Sequence, residues 1–367
     1  MISLSLLACL VAGPAAPPEL VTFDEPGFPA VGGLETPAAV EGARSFASVE
    51  SLAARLVPGE AVLVWRHGAT FPADLWAPFV RFLEGGGSFL WLGGTPFDRP
   101  VTGPAGAREV RAPNVNLRKA LRLNQARART LPAGTAVVLP GGSTPTRTLG
   151  TPVAVTILEP RLTDGRDFED EDGSPGAREA VVRPLLHAVA PDGDARFPDA
   201  ALAFAVDRIA GRFAGGRWVL WLADDAPTAD ELATLVDEAT RPALDFRVVP
   251  TSGCFHEGET PELELRLLRP GATEEKTFSV DLEIESDGGA TRTIEGVRLV
   301  AGAAGVEGRA RVALDPSLSA PGLHRVTARA DGLPEATTGY WGFDRALFRS
   351  GAPLSFNRST LRRDGAP

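Results

Sequence analysis

The chain has 367 residues, which is long for one domain and comfortable for two or three. At 44% hydrophobic and 23% charged it has enough apolar material for a sizeable core. A net charge of -10 and the lack of a basic cluster argue against a nucleic-acid binder and against docking on anionic membrane surfaces. Cys9 and Cys254 are the only cysteines, so there is no disulfide framework and no CxxC knuckle. His67, His187, His256 and His324 are scattered, with no HExxH pair, and no metal site is expected.

Ile2–Val11 is a short apolar run followed by small residues, as in a secretory leader, although the basic start is missing. We expect a signal peptide over 1–16 and a secreted or periplasmic protein; the weaker lipoprotein box at Leu6–Cys9 makes a cell-surface anchor second choice. No later segment has the roughly 18 apolar residues that span a bilayer, so no membrane span is expected. Residues 17–45 are punctuated by Pro and Gly and weakly patterned. Ser48 caps a helix running to Leu56, with Glu50 in its first turn. Ala61–Trp65 (AVLVW) and Ser88–Leu92 (SFLWL) are continuous apolar runs of strand length, as expected of strands buried on both faces. Between them Leu75, Phe79 and Leu83 mark a helix that starts near Trp76, with Pro78 in its first turn, and ends at Gly85-Gly86-Gly87. Strand, helix and strand make a right-handed crossover unit.

Further strands are expected at Val137–Leu139, Val153–Leu158, Ala203–Val206 and Arg217–Leu222, the last two joined across Gly211–Gly216. Thr228-Ala-Asp-Glu231 is a capping box for a helix carrying Leu232, Leu235 and Val236. An α/β domain is therefore expected over 17–250. From 251 the texture turns all-β. Leu263, Leu265 and Leu267 alternate, as do Phe278, Val280, Leu282 and Ile284, and more strands follow to Gly342. This spacing fits an immunoglobulin-like sandwich over 251–345 without the usual disulfide, since Cys254 is alone. Residues 346–367 form a tail with a turn expected at Asp364-Gly365.

The run Phe71–Val101 (FPADLWAPFVRFLEGGGSFLWLGGTPFDRPV) resembles the glutamine-amidotransferase-like domains of large secreted bacterial proteins, glycoside hydrolases among them. Asp172–Pro184 and Asp207–Trp218 look like later parts of the same domain. Gly322–Asp344 resembles the last strands of the Ig-like domain that follows it, and Ser359–Pro367 the first hairpin of a β-galactosidase-like (β/α)8 barrel. The resemblance implies a flavodoxin-like parallel sheet, an Ig-like sandwich, and a C-terminal catalytic domain as neighbour in a longer protein.

An active amidotransferase needs a Cys at the turn after the second strand, activated by a His and an acid. Thr95 stands roughly at that place, followed by Pro96, and Cys254 belongs to another domain. The site therefore reads as degenerate and the chain as no enzyme. His67, Asp98 and Arg99 follow the two strands at the edge where α/β sheets bind ligands. With Thr95 they are the candidate ligand-binding residues, although a loop in which these groups bond to backbone and to one another is the plainer reading. The acidic loop Asp164–Asp172 reads as a solvated loop rather than a calcium site. Trp65, Trp91, Trp218, Trp221 and Trp76 read as core, and Trp341 as exposed. No GxGxxG, P-loop or GxSxG is present, so no cofactor is expected. The resulting expectation is a non-catalytic accessory or scaffold region of an exported carbohydrate-active protein. The alternatives are a stand-alone saccharide- or protein-binding module, or a hydrolase with an unfamiliar site.

Overall fold

The computed structural model describes residues 17–32, 40–142, 144–164, 176–193, 198–303 and 305–344, with the backbone of 354–357 and 360–363. The expected leader over 1–16, most of the acidic loop and most of the tail lie outside the described residues. The chain divides into two units, Met1–Ala243 and Leu244–Pro367.

The first unit is α/β. In chain order it contains β1 (Glu19–Phe23), β2 (Arg44–Phe46), α1 (Val49–Arg55), β3 (Ala61–Trp65), β4 (Thr70–Pro72), α2 (Trp76–Glu84), β5 (Ser88–Leu92), β6 (Arg99–Thr102), β7 (Glu109–Val110), α3 (Val115–Ala120), β8 (Leu123–Leu131), β9 (Ala136–Val138), β10 (Pro145–Thr148), β11 (Val153–Pro160), β12 (Ala180–Val189), β13 (Ala200–Arg208), β14 (Arg217–Trp221) and α4 (Ala229–Thr240). A nine-stranded sheet runs β10-β9-β12-β13-β14-β5-β3-β1-β2. Every residue of β3 is buried, as the unbroken apolar run requires of a strand covered on both faces. In α2, Phe79, Phe82 and Leu83 are buried against the sheet. The Ser48 hydroxyl accepts from the Ser51 amide at the start of α1, and both halves of the Thr228–Glu231 capping box are made.

The expectation of a parallel sheet needs correcting. Only β2-β1-β3-β5-β14 are parallel to their neighbours. From β14 outward, β13, β12, β9 and β10 pair antiparallel. The link 209–216 between β13 and β14 holds one turn of 3₁₀ helix. That is shorter than the dozen or so residues a parallel crossover needs, so the chain can only fold straight back. Within the parallel half the order β2-β1-β3-β5 reverses direction between β1 and β3. This is a topological switch point, the place where open α/β sheets hold ligands.

The second unit is all-β. It contains β15 (Asp245–Pro250), β16 (Cys254–Phe255), β17 (Glu262–Leu268), β18 (Lys276–Ser286), β19 (Thr291–Ala301), β20 (Gly308–Ala313), β21 (Gly322–Arg329) and β22 (Ala336–Gly342). They form a sheet β15-β17-β20 and a sheet β16-β22-β21-β18-β19, with one shared core. The alternating residues Leu263, Leu265, Leu267, Phe278, Val280, Leu282 and Ile284 all point into it. β15 pairs with β17 along its whole length, so the division falls at Ala243, ahead of the expected 250. His324 lies in this core with both ring nitrogens bonded, Nδ1 to the Ser286 hydroxyl at 2.9 Å and Nε2 to the Ala320 carbonyl at 2.8 Å. It stacks on Tyr340, whose hydroxyl donates to the Leu318 carbonyl and whose pKa burial pushes up to about 12. In the tail, β23 (Leu354–Asn357) and β24 (Thr360–Arg363) pair antiparallel, and the turn expected at Asp364-Gly365 lies outside the described residues.

Candidate functional site

The carboxyl edge of β1, β3 and β5 carries all four residues singled out in the sequence. His67 follows β3 and is buried. Its Nε2–H donates to the Phe23 carbonyl at 3.0 Å, which fixes the tautomer, and its ring packs at 4.9 Å from Phe28 and 5.2 Å from Trp65. Burial lowers its pKa below 6.5; the Arg66 charge adds to this, while the Phe23 bond and Asp24 oppose it. Thr95 is half-buried, and its hydroxyl shares a hydrogen bond of 3.1 Å with that of Thr156 on β11. Asp98 accepts from Arg118 at 2.8 Å, and its carbonyl accepts from the Asn114 amide. Arg99 opens β6, and its amide donates to the Ala69 carbonyl.

The four residues therefore follow the same two strands, but the side chains of His67, Thr95 and Asp98 face different partners. Backbone fills the space between their loops. An added Cβ on Gly94, which has φ +62, would lie 2.6 Å from the Gly32 carbonyl oxygen and 3.1 Å from the Ala69 amide. Only glycine permits that approach. Past Pro96 the chain turns at Phe97, a non-glycine residue with φ 54. Its ring is fully buried, 4.3 Å from Trp91 and 5.3 Å from Phe71. The strained residue after β5 thus aims an aromatic ring into the core. A nucleophile elbow instead exposes a reactive atom at such a residue.

Residues that the sequence reading passed over also shape this edge. Arg108 forms a fork with the carboxylate of the buried Glu25, at 3.0 and 2.8 Å, and reaches Asp74 at 3.0 Å. The Glu25 hydrogen bond is the main force raising the Arg108 pKa, and burial opposes it. A cavity of about 200 Å³ opens at the switch point, lined by Thr22, Asp24, Val40, Ala43, Ser45 and Arg66. None of the four expected site residues lines it.

Other groups stand apart from this edge. Trp65, Trp91, Trp218 and Trp221 are fully buried, Trp76 is half-buried, and Trp341 is exposed. Cys254 is exposed in the second unit. Among the described residues no cluster of three His, Cys, Asp or Glu side chains comes together, and no helix is long and apolar enough to cross a membrane.

The His67 environment makes a pH prediction. The unfolded chain takes up a proton near pH 6.5, while folded His67 does so only at lower pH. Its contribution is therefore complete above about 6.5 and is lost as pH falls. His67→Gln keeps a donor for the Phe23 carbonyl and removes the titration. Urea midpoints measured between about pH 7.5 and 5 should fall less steeply in the variant. His187, also lowered by burial, titrates in both proteins and cancels. Identical slopes would contradict this assignment.

No family model matches the chain, and no curated protein does. Among solved structures, an alkylpurine DNA glycosylase of Pseudomonas fluorescens bound to DNA aligns at 18% identity over 31% of this chain and 33% of that one, with a TM-score of 0.21. A β-glucosidase of Listeria innocua aligns at 13% identity over 28% of this chain and 16% of that one, at 0.22. Its complex with isofagomine aligns at 9% over 89% of this chain and 46% of that one, also at 0.22. The chain thus spans a third or less of the length of the first structures it matches. Similarity at this level carries no argument about fold or activity.

Proposed function

We propose that the chain is a non-catalytic accessory region of an exported carbohydrate-active protein, with a glutamine-amidotransferase-like first unit and an Ig-like second unit. The observation that carries this reading is the end of β5. There the nucleophile position is a threonine bonded to another threonine, and the strained residue is a buried phenylalanine. A working nucleophile needs a base within hydrogen-bond reach and an exposed attacking atom. His67, the nearest histidine in sequence, gives its Nε2–H to Phe23 and its ring faces to aromatic neighbours. The amidotransferase resemblance of Phe71–Val101 supplies the context of a glycoside-hydrolase neighbour.

The test is turnover by the purified full chain. Neither glutamine nor aryl β-galactosides should be hydrolysed above the blank. Sustained release of ammonia or aryl alcohol would overturn the reading. The cavity at the switch point favours a second reading, a saccharide-binding module.

A further inference from the structure

The cavity between β1, β2 and β3 is built by strand periodicity. Thr22 pairs in register with Ser45 on β2 and Val64 on β3. Alternate side chains share a face, so Asp24 and Arg66, two residues beyond Thr22 and Val64, continue the face that carries Thr22. Phe23 and Trp65 point the other way and stack on each other. Val40 and Ala43, from the segment leading into β2, supply an apolar wall.

Two residues that line this cavity each carry an unsatisfied polar atom. The Thr22 hydroxyl is buried, with the residue only 3% exposed, and has no hydrogen-bond partner. The Arg66 Nε–H is likewise buried without a partner. Arg66 forms a loose ion pair with Asp24, its Nη2 lying 3.6 Å from the carboxylate. Buried donors without partners are rare, because leaving them unmade forfeits their hydration. Here both belong to residues lining one cavity, at the position where the fold places ligands.

We propose that this cavity binds a neutral polyol of monosaccharide size through two adjacent hydroxyl groups. One ligand oxygen accepts from Arg66 Nε–H and the Thr22 hydroxyl. The neighbouring hydroxyl donates to the Asp24 carboxylate. Val40 and Ala43 cover the C–H face of the ring. The volume is below the range of about 300 Å³ and upward that suits drug-sized ligands, so the occupant is small. A neutral ligand is favoured over an anion because Asp24 stands beside Arg66 and the chain carries a net charge of -10. This proposal is independent of the accessory-region reading: it stands or falls on binding alone.

The test is saturation-transfer NMR on the full chain with D-galactose and D-glucose at millimolar concentration, and with inorganic phosphate as the anionic probe. The wild type should transfer saturation to at least one hexose. Thr22→Val, which keeps the shape and deletes the unpartnered hydroxyl, and Arg66→Met should each weaken binding about tenfold. Thr22→Val removes no existing hydrogen bond, so it keeps the test independent of any folding defect in Arg66→Met. The proposal is overturned if neither hexose binds, if binding is unchanged in Thr22→Val, or if phosphate binds through Arg66 and the hexoses do not.

Discussion

Replacing Arg217 by methionine is expected to cost the first unit about 3–5 kcal/mol, the cost of breaking one side of a buried ion pair. Arg217 and Asp207 are each 1% exposed. Arg217 Nε donates to Asp207 at 2.5 Å, and its Nη1 reaches Glu238 at 3.2 Å. Arg183 joins the same cluster through Glu238 at 2.6 Å. The network ties β13 and β14 to α4 and β12. Burial raises the Asp207 pKa even with Arg217 pulling it down. Burial also works to raise Glu238, but the hydrogen bond from Arg183 and the nearby arginine charges overcome it and the pKa falls.

The sign for Asp207 follows from linkage. A carboxyl raised in the folded state binds more protons than the unfolded chain between 3.8 and its folded value, so it costs stability as pH rises through that window. Without Arg217 the window widens, and the loss in the variant should grow with pH. Tryptophan fluorescence in urea reads this out, because Trp65, Trp91, Trp218 and Trp221 are all buried in the first unit. Arg217→Met/Asp207→Leu should recover much of the loss, since it removes the stranded charge. A loss below about 1 kcal/mol would show that the pair is not desolvated as described.

Phe97→Ala is expected to cost about 3–5 kcal/mol, as for a fully buried aromatic ring. Five aromatic rings surround this one: Trp91, Phe71, Phe79, Trp76 and Phe89 lie between 4.3 and 5.8 Å away. Phe97 also holds a left-handed backbone, at a cost of roughly 1–2 kcal/mol for an L-residue. Phe97→Gly removes that strain and should therefore lose less than Phe97→Ala, although glycine is usually the worse substitute. If glycine proved less stable than alanine, the strain at this turn would be disproved, and with it the view that packing alone holds Phe97 in place.

Ala61–Trp65 and Ser88–Leu92 were legible to the residue, because unbroken apolar runs flanked by Gly and Pro have few other ways to fold. The helix starts at Ser48 and Thr228 were legible because capping is local chemistry. β12 was not. Pro184 interrupts its pattern, and the strand tolerates it only through a register shift between Pro184 and Leu186. β15 carries a clear strand pattern, but nothing local says which sheet it joins. The antiparallel half could have been read from the short link 209–216, a length argument that composition and periodicity do not make. In the site, His67 follows β3, and Thr95, Asp98 and Arg99 follow β5, an order that the strand positions in the chain make legible. The cavity groups Thr22, Ser45 and Arg66 were hidden because only the pairing register of β1, β2 and β3 brings them together.

The central claim is that the end of β5 carries no working nucleophile. The most direct measurement is ammonia release from glutamine by the full chain, compared with Thr95→Ala under the same conditions. Both proteins should match the blank. Turnover by the wild type that disappears in Thr95→Ala would contradict it and would make the threonine at this strand end a catalytic residue.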